Sequence, residues 1–138
     1  QAKVKIEVLA DLEEMKIYNT VGDLSTRADI LKTRRDLLRA FFMASAEAIA
    51  RGKKNKALVL KVISKQMKVT DRKRLEVIYD ASLGRMPSKP YAREEAVQLE
   101  LESVAFTDPL FKNRKASDFM DSSIVAELDR KGFFAQLQ

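Results

Sequence analysis

A predominantly helical α+β fold is predicted from the sequence, with about five helices and one or two strands near the N-terminus. The longest regular pattern is helical, because residues 33–52 repeat apolar side chains at helical spacing. The chain has only four Gly and three Pro among 138 residues, so few positions force a helix to end. Strict alternation of apolar and polar residues, which is typical of a half-buried strand, occurs at residues 3–9. We therefore expect the helix at 33–52 to organise the core, with a strand before it.

The first 30 residues are expected to contain the strands. Residues 3–9 carry three β-branched side chains on one face, and a single strand leaves backbone N–H and C=O groups unpaired on both edges. This strand is therefore expected to pair with another copy or with another chain. Residues 18–23 predict a loop, because they include Asn, Thr, Gly and Asp. Residues 24–30 predict either a second short strand or an N-terminal extension of the next helix.

The helix at residues 33–52 is amphipathic, with Thr33 as its expected N-cap and Gly52 at its expected end. If Phe41 belongs to the core, its replacement by alanine should lower the free energy of unfolding by roughly 3–5 kcal/mol. The apolar stripe that we expect to face the core consists of Leu37, Leu38, Phe41, Phe42, Ala44, Ala48 and Ile49.

Four further helices are predicted, at residues 56–67, 71–85, 92–106 and 122–131. Thr70 and Asp121 are the expected N-caps of the second and the fourth of these helices. Gly132 is expected to end the last helix, after which Phe133 and Phe134 fold back onto the core. The helix at 71–85 is expected to bury Leu75, Val77, Ile78 and Ala81.

The residue types argue against the commonest routes of catalysis. The chain has no His and no Cys, which removes the usual general base, the thiol nucleophile and the usual zinc ligands. No glycine-rich phosphate loop is present. The neighbouring carboxylates Glu13/Glu14 and Glu94/Glu95 would point in different directions on a helix, so neither pair predicts acid–base chemistry. We therefore expect a protein that is not an enzyme and has no catalytic residue, cofactor or metal.

The charge of the chain permits an anionic partner, since 26 basic and 20 acidic residues leave a net charge of +6. Basic residues cluster at positions 51–56 and 72–74. Nucleic acid is not the expected partner, because no aromatic side chain for base stacking is interleaved with either cluster. A basic helical module that binds nucleic acid or a protein nevertheless stays open as an alternative function.

Several segments, taken in order, resemble one family. They are similar to the C-terminal portion of ABC-transporter solute-binding proteins of the nitrate, sulfonate, taurine and thiamine-precursor type. One departure is that the family often has Asn-Pro before the long helix, where this chain has Lys32-Thr33-Arg34. The segments that carry the likeness lie at residues 8–12, 36–49, 65–71, 79–91 and 119–133, of which the Lys-Pro-Tyr at 89–91 and the ending at 119–133 are the most specific.

The resemblance implies a fold, a function and a location. The chain would be one partial domain, 1–138, of a two-lobe periplasmic-binding-protein-like α/β fold, with a strand and hinge region at 1–30 and a helical region at 31–138. It would bind a small anionic or thiamine-precursor-like solute outside the cytoplasm, and its partners would be an ABC permease and a missing N-terminal lobe. The loop Tyr18, Asn19 and Thr20 would be nearest the ligand cleft. An enzyme of thiamine-precursor synthesis shares this fold, but it would need His or Cys residues outside this chain.

Overall fold

The computed structural model describes residues 7, 9–11, 14–15, 17 and 24–138, and it confirms that the chain is predominantly helical. The described residues contain no strand. Short 3-10 turns lie at Leu83–Arg85, Pro109–Phe111 and Ala116–Asp118. The α-helices over the described residues are α1 (Ala28–Thr33), α2 (Arg35–Lys54), α3 (Lys56–Met67), α4 (Arg72–Ala81), α5 (Glu94–Ala105), α6 (Ser123–Arg130) and α7 (Phe133–Gln136).

The chain divides into two compact units. The first contains residues 92–121 together with the described residues before position 26, and the second contains residues 26–91 and 122–138. The first unit is therefore built around α5, and the second contains the other six α-helices of the described chain. The expectation of one partial domain over 1–138 stays a prediction.

The hydrophobic core of the second unit joins α2 to the C-terminal helices. Its buried members are Leu38 and Ala46 of α2, three residues of α6, and Phe134 of α7. Gly132 adopts φ 72°, a left-handed conformation that glycine takes without steric cost, and it ends the turn after α6 as predicted. Phe134 is only 1% exposed, which confirms that the C-terminal aromatic residues fold back. The α6 residues in this core are Ile124, Val125 and Leu128.

Helix α2 differs from its prediction at both ends. Thr33 is the last residue of α1, where its hydroxyl donates to the Asp29 carbonyl at 2.7 Å, so it is not the N-cap of α2. Arg34 holds the N-cap position instead. Gly52 does not end the helix but lies buried inside it. A Cβ atom at Gly52 would lie 2.5 Å from a methyl group of Leu83, so this glycine permits a close approach of α2 and the turn at 83–85.

The buried face of α2 is narrower than the predicted stripe. Leu38 and Ala46 are buried, whereas Leu37 and Phe41 lie half exposed, and Phe41 is 52% exposed. The prediction that Phe41 belongs to the core is therefore wrong. The physical reason is that apolar residues cover a wide arc of this helix, and only the side of that arc toward α6 and α7 is packed.

Helices α3 and α4 form an antiparallel hairpin, in which Lys56 at the start of α3 contacts Asp80 near the end of α4. The bounds predicted for α3 are confirmed. The N-cap of α4 is Asp71, whose carboxylate accepts from the Arg74 amide at 2.8 Å, so the prediction of Thr70 is wrong.

Helix α4 is shorter than predicted and buries different residues. It ends at Ala81, because the Ser82 hydroxyl donates to the Ile78 carbonyl at 2.6 Å and a 3-10 turn follows. Leu75 is buried as expected, but Tyr79 is its buried companion, whereas Val77 is 67% exposed and Ala81 is exposed. The prediction of Val77 and Ala81 as core residues is therefore wrong.

Helix α5 organises the first unit. Its buried residues are Ala96 and Leu101, and its bounds agree closely with the predicted 92–106. The Gln98 side chain accepts from the Ala116 amide at 3.0 Å and donates to the Arg114 carbonyl at 3.4 Å. These bonds hold the 3-10 turn at Ala116–Asp118 against the helix.

Two other predictions concern helix starts and strands. Ser122 is the N-cap of α6, with its carbonyl accepting from the Ala126 amide at 2.9 Å, so Asp121 is not the cap. The second strand predicted at 24–30 is wrong, because residues 28–30 belong to α1 and Arg27 pairs with Asp29 at 2.9 Å at its start. Residues 28–33 form a short helix of their own, which Arg34 separates from α2, so they are not an extension of the next helix either. Most of the strand predicted at 3–9 lies outside the described residues, so that strand, its pairing and the two-lobe fold stay predictions.

Candidate functional site

The loop predicted to lie nearest a ligand is Tyr18, Asn19 and Thr20, and these three positions lie outside the described residues. Their expected place beside a ligand cleft therefore stays a prediction. The candidate sites of the described residues lie within positions 24–138.

A polar contact fastens the proline-containing link between α4 and α5 onto α6. The Lys89 ammonium lies 2.8 Å from the Asp129 carboxylate, and the Tyr91 hydroxyl donates to the same carboxylate at 3.1 Å. The hydrogen bond from Lys89 lowers the pKa of Asp129, and that from Tyr91 contributes in the same direction. Pro87 and Pro90 keep this link free of helix, because proline disfavours a helical conformation in the residue before it, and the link bends at Ser88 and Lys89.

A second charged contact joins α2 to α6. Glu127 accepts from Lys131 at 2.8 Å and from Arg39 at 3.1 Å. The hydrogen bonds from Lys131 and then Arg39 lower the pKa of Glu127 to about 2. Because Arg39 and Glu127 are 88 positions apart in the sequence, their pair stabilises the packing of α2 against α6, whereas the pair of Glu127 with Lys131 stabilises a turn within α6.

The lowered pKa of Glu127 predicts a pH dependence of stability. A carboxylate whose pKa is 4.5 when unfolded and about 2 when folded stabilises the fold above pH 4.5, and this contribution disappears as the pH falls toward 2. We expect Glu127→Gln to be less stable at neutral pH and to lose less stability than the natural chain between pH 4.5 and 2. Denaturant unfolding at a series of pH values measures this.

The matched control for that experiment is Glu100→Gln, which removes the same charge from an exposed position of α5. We expect its acid profile to follow that of the natural chain. Parallel pH profiles for Glu127→Gln and the natural chain would show that the contact with Arg39 and Lys131 adds nothing to stability.

The positive charge of the chain is concentrated around α3. Residues 51–74 contain ten basic residues and one acidic residue, a net charge of +9, whereas the other 114 residues contain 16 basic and 19 acidic residues, a net charge of −3. The two basic clusters predicted at 51–56 and 72–74 lie at opposite ends of α3, which is 12 residues long and spans about 18 Å. Lys61 and Lys65 lie between them, so the basic region is continuous along the helix.

The acidic side chains of the hairpin already accept hydrogen bonds from groups of the hairpin itself. Asp71 caps α4, Glu76 accepts from Arg72 at 3.1 Å, and Asp80 accepts from Lys56 at 3.0 Å. These are all the acidic residues between positions 51 and 85. In the part of the chain that the structure describes, the remaining basic residues of the hairpin form no ion pair; they are Lys61, Lys65, Lys68, Lys73 and Arg74.

An open groove of about 310 Å³ runs between α3 and α4. Apolar side chains and one basic side chain from each helix line it. We use the name hairpin groove for this feature, which is formed by Ala57, Leu60, Lys61, Ser64, Arg72 and Leu75.

Exposed apolar side chains lie beside the unpaired lysines. Leu58 and Val62, which is 51% exposed, are one helical turn apart on α3, and the Lys61–Lys65 pair occupies the neighbouring strip of the same helix. The outer surface of α3 therefore combines positive charge with accessible apolar area. Helix α3 has no buried residue at all, so its apolar positions are only partly covered by α2 and α4.

A smaller cavity of about 120 Å³ lies in the second unit, between α2 and the C-terminal residues. Ala46, Ile49 and Phe134 form its apolar wall. Lys53 and Lys54 line it, but their ammonium groups already donate to the carbonyls of Met86 and Gln138. The engaged ammonium groups make it a weaker candidate than the hairpin groove.

The described residues include no group of three or more acidic side chains that could hold a metal ion. Within the same part of the chain, no helix is both long enough and apolar enough to cross a lipid bilayer.

No family model, no curated protein and no solved structure matches the chain. The likeness to solute-binding proteins therefore rests on the sequence segments described above and stays a prediction.

The sequence predicts two separate basic clusters and does not indicate the hairpin groove. A count of charge by segment would have found the excess at 51–74, since it needs no structure. The groove could not be found in this way, because Lys61 and Arg72 become neighbours only when α3 and α4 pair. The pairing of Lys56 with Asp80, 24 positions apart, has no local signal either.

Proposed function

We propose that this chain is the C-terminal part of an extracytoplasmic solute-binding protein that delivers a small anionic or thiamine-precursor-like solute to an ABC permease. The supporting observation is that three of the segments that carry the resemblance contact one another. The Lys-Pro-Tyr segment bonds to α6 through Asp129, and Glu127 of α6 pairs with Arg39 of the long helix. Segments that are far apart in sequence and similar to one family thus belong to a single packed unit.

In this proposal the helical residues form the scaffold of one lobe. The loop Tyr18, Asn19 and Thr20 borders the ligand cleft, and a second lobe supplies most contacts to the solute. Closure of the two lobes around the ligand would then present outer helical faces to the permease.

A second function is favoured by a different observation. The net charge of +9 over residues 51–74, set against −3 elsewhere, gives the hairpin the electrostatic character of a binding surface for an anionic macromolecule. We propose a basic helical interaction module as this second candidate function. It requires only the described hairpin and no second lobe.

Two assays on one sample separate these functions. For the solute-binding function, we expect nitrate, taurine or a pyrimidine precursor of thiamine to stabilise the natural protein that contains this chain. A ligand at about 100 times its Kd contributes about 2.7 kcal/mol, which raises Tm by several degrees. The measurement is thermal unfolding, with chloride at equal ionic strength as the control for nonspecific ion effects.

The second assay measures binding of an anionic macromolecule to the same sample as salt is raised. An interaction module gives binding that weakens steeply with salt, and none of the small solutes changes Tm. Absence of any solute effect would count against the solute-binding function, and absence of salt-dependent binding would count against the module.

A further inference from the structure

We propose that the α3–α4 hairpin binds an acidic amphipathic helix of a partner protein. This inference rests on the second proposed function, the interaction module, and it names the partner class. It is carried by three features of the described residues: unpaired positive charge, exposed apolar side chains beside that charge, and a groove between two helices.

The first feature is the charge that is free to meet a partner. Lys61 and Lys65 are exposed and one turn apart, and Asp71, Glu76 and Asp80 are engaged elsewhere on the hairpin. A partner with carboxylates at the same spacing would meet this pair of ammonium groups. Complementary charge of this kind speeds association and selects partners by sign.

The second feature distinguishes a protein from nucleic acid. Leu58 and Val62 are accessible next to Lys61 and Lys65. A duplex backbone is recognised through its phosphates and gives these apolar side chains nothing to pack against. Single strands would need exposed aromatic rings for stacking, and the one aromatic residue of the hairpin, Tyr79, is buried beneath the Lys56 ammonium.

The same feature argues against a membrane surface. Helices that lie in a bilayer interface bury bulky residues such as Trp, Phe and Leu along one whole face. The exposed large apolar residues of α3 are Leu58, Val62 and Met67, so this helix lacks the Trp and Phe side chains of such a face.

The third feature is the shape of the surface. The hairpin groove is lined by the apolar residues Ala57, Leu60 and Leu75, and Lys61 of α3 and Arg72 of α4 also line it. An amphipathic helix that lies in a groove packs its apolar side chains into it, while its flanking residues meet the edges. A glutamate at a flanking position would face Lys61, whereas Arg72 already pairs with Glu76.

The probe for this inference is a fluorescein-labelled peptide with the sequence of residues 93–106, which form an acidic helix in this chain. Its control replaces the glutamates by glutamine and keeps every apolar residue. Fluorescence anisotropy with the full chain is expected to give binding at least about tenfold tighter for the acidic peptide, the ratio that corresponds to about 1.4 kcal/mol. The four glutamates are Glu94, Glu95, Glu100 and Glu102.

Variants of the chain test the surface itself. The double variant Lys61→Glu/Lys65→Glu should weaken binding of the acidic peptide at least about tenfold, and Val62→Ser should weaken it about fivefold. The matched control Lys32→Glu/Lys112→Glu makes the same change of charge at exposed positions outside the hairpin and should leave binding within about twofold. Circular dichroism of each variant verifies that it is folded.

The possible outcomes are separable. Equal binding of the acidic and glutamine peptides, or equal loss of binding in the control variant, would overturn the inference. Tighter binding of a 20-base-pair duplex or of phosphatidylserine vesicles than of the acidic peptide would also overturn it, while leaving the interaction module in place. If neither the peptides, nor the duplex, nor the vesicles bind, both the inference and the module are overturned.

Discussion

Phe134→Ala is expected to lower the free energy of unfolding by about 3–5 kcal/mol, the largest effect that we expect of a single truncation among the described residues. Phe134 is 1% exposed and is the largest fully buried side chain among the described residues. It packs with α2 and α6 in the core of the second unit, and its ring lies 5.6 Å from that of Phe133 in an edge-to-face arrangement. Removal of the ring leaves a cavity that rigid helices fill only in part. Denaturant unfolding measures the loss.

Phe41→Ala is the control for this prediction, because it removes the same atoms from a position that is half exposed. We expect it to cost less than about 1 kcal/mol. A loss for Phe41→Ala that equals the loss for Phe134→Ala would show that a further surface covers this face of α2 in solution.

Gly52→Val is expected to destabilise the second unit by about 1–3 kcal/mol through overpacking. The added Cβ would lie 2.5 Å from a Leu83 methyl group and 3.2 Å from a Val59 methyl group. Valine has a better intrinsic helix propensity than glycine by a few tenths of a kcal/mol, so a purely local effect would have the opposite sign. The sign of the change in Tm therefore decides between the two effects: a lower Tm indicates overpacking, and a higher Tm indicates helix propensity.

The double variant Gly52→Val/Leu83→Ala tests the cause of that loss. Leu83→Ala removes the methyl group that the new side chain meets, so the double variant should be more stable than the sum of the two single effects predicts. An additive result would show that the loss does not arise from the contact with Leu83.

The existence of most helices follows from the sequence, because apolar periodicity and the scarcity of Gly and Pro leave few alternatives. Helix starts were predicted less well where two capping residues are adjacent. Thr70 precedes Asp71, and Asp121 precedes Ser122, and each of these residues can act as an N-cap. The choice depends on where packing places the first turn, which local chemistry does not encode.

The buried face of α2 and the role of Gly52 illustrate the limit on predicting the core. Apolar residues cover so wide an arc of α2 that the periodicity is consistent with burial of both Leu37 and Leu38. Only the packing against α6 determines that Leu38 is the buried residue. A glycine that follows the last apolar residues of a helical pattern and a basic residue has the pattern of a helix end. Its actual role depends on Leu83, a residue 31 positions away whose approach no local pattern reveals.

The basic surface of the α3–α4 hairpin could likewise be predicted only in part from the sequence. The charge excess at residues 51–74 is present in the sequence and can be counted. The sequence does not show which basic side chains stay unpaired. That depends on the structure, in which Asp80 pairs with Lys56 across the hairpin and Glu76 pairs with Arg72 along one helix. The groove edges at Lys61 and Arg72 likewise exist only after the two helices pair.

The core that joins α2 to α6 and α7 has a consequence for how the chain is synthesised. Leu38 and Ala46 emerge from the ribosome before their partners Ile124, Leu128 and Phe134, which follow only after about 80 further residues, including the whole of α5. During that interval the packed face of α2 has no native cover. Because contacts of such long sequence separation form late and slowly, the nascent chain exposes an apolar helix face to chaperones until α6 and α7 are translated.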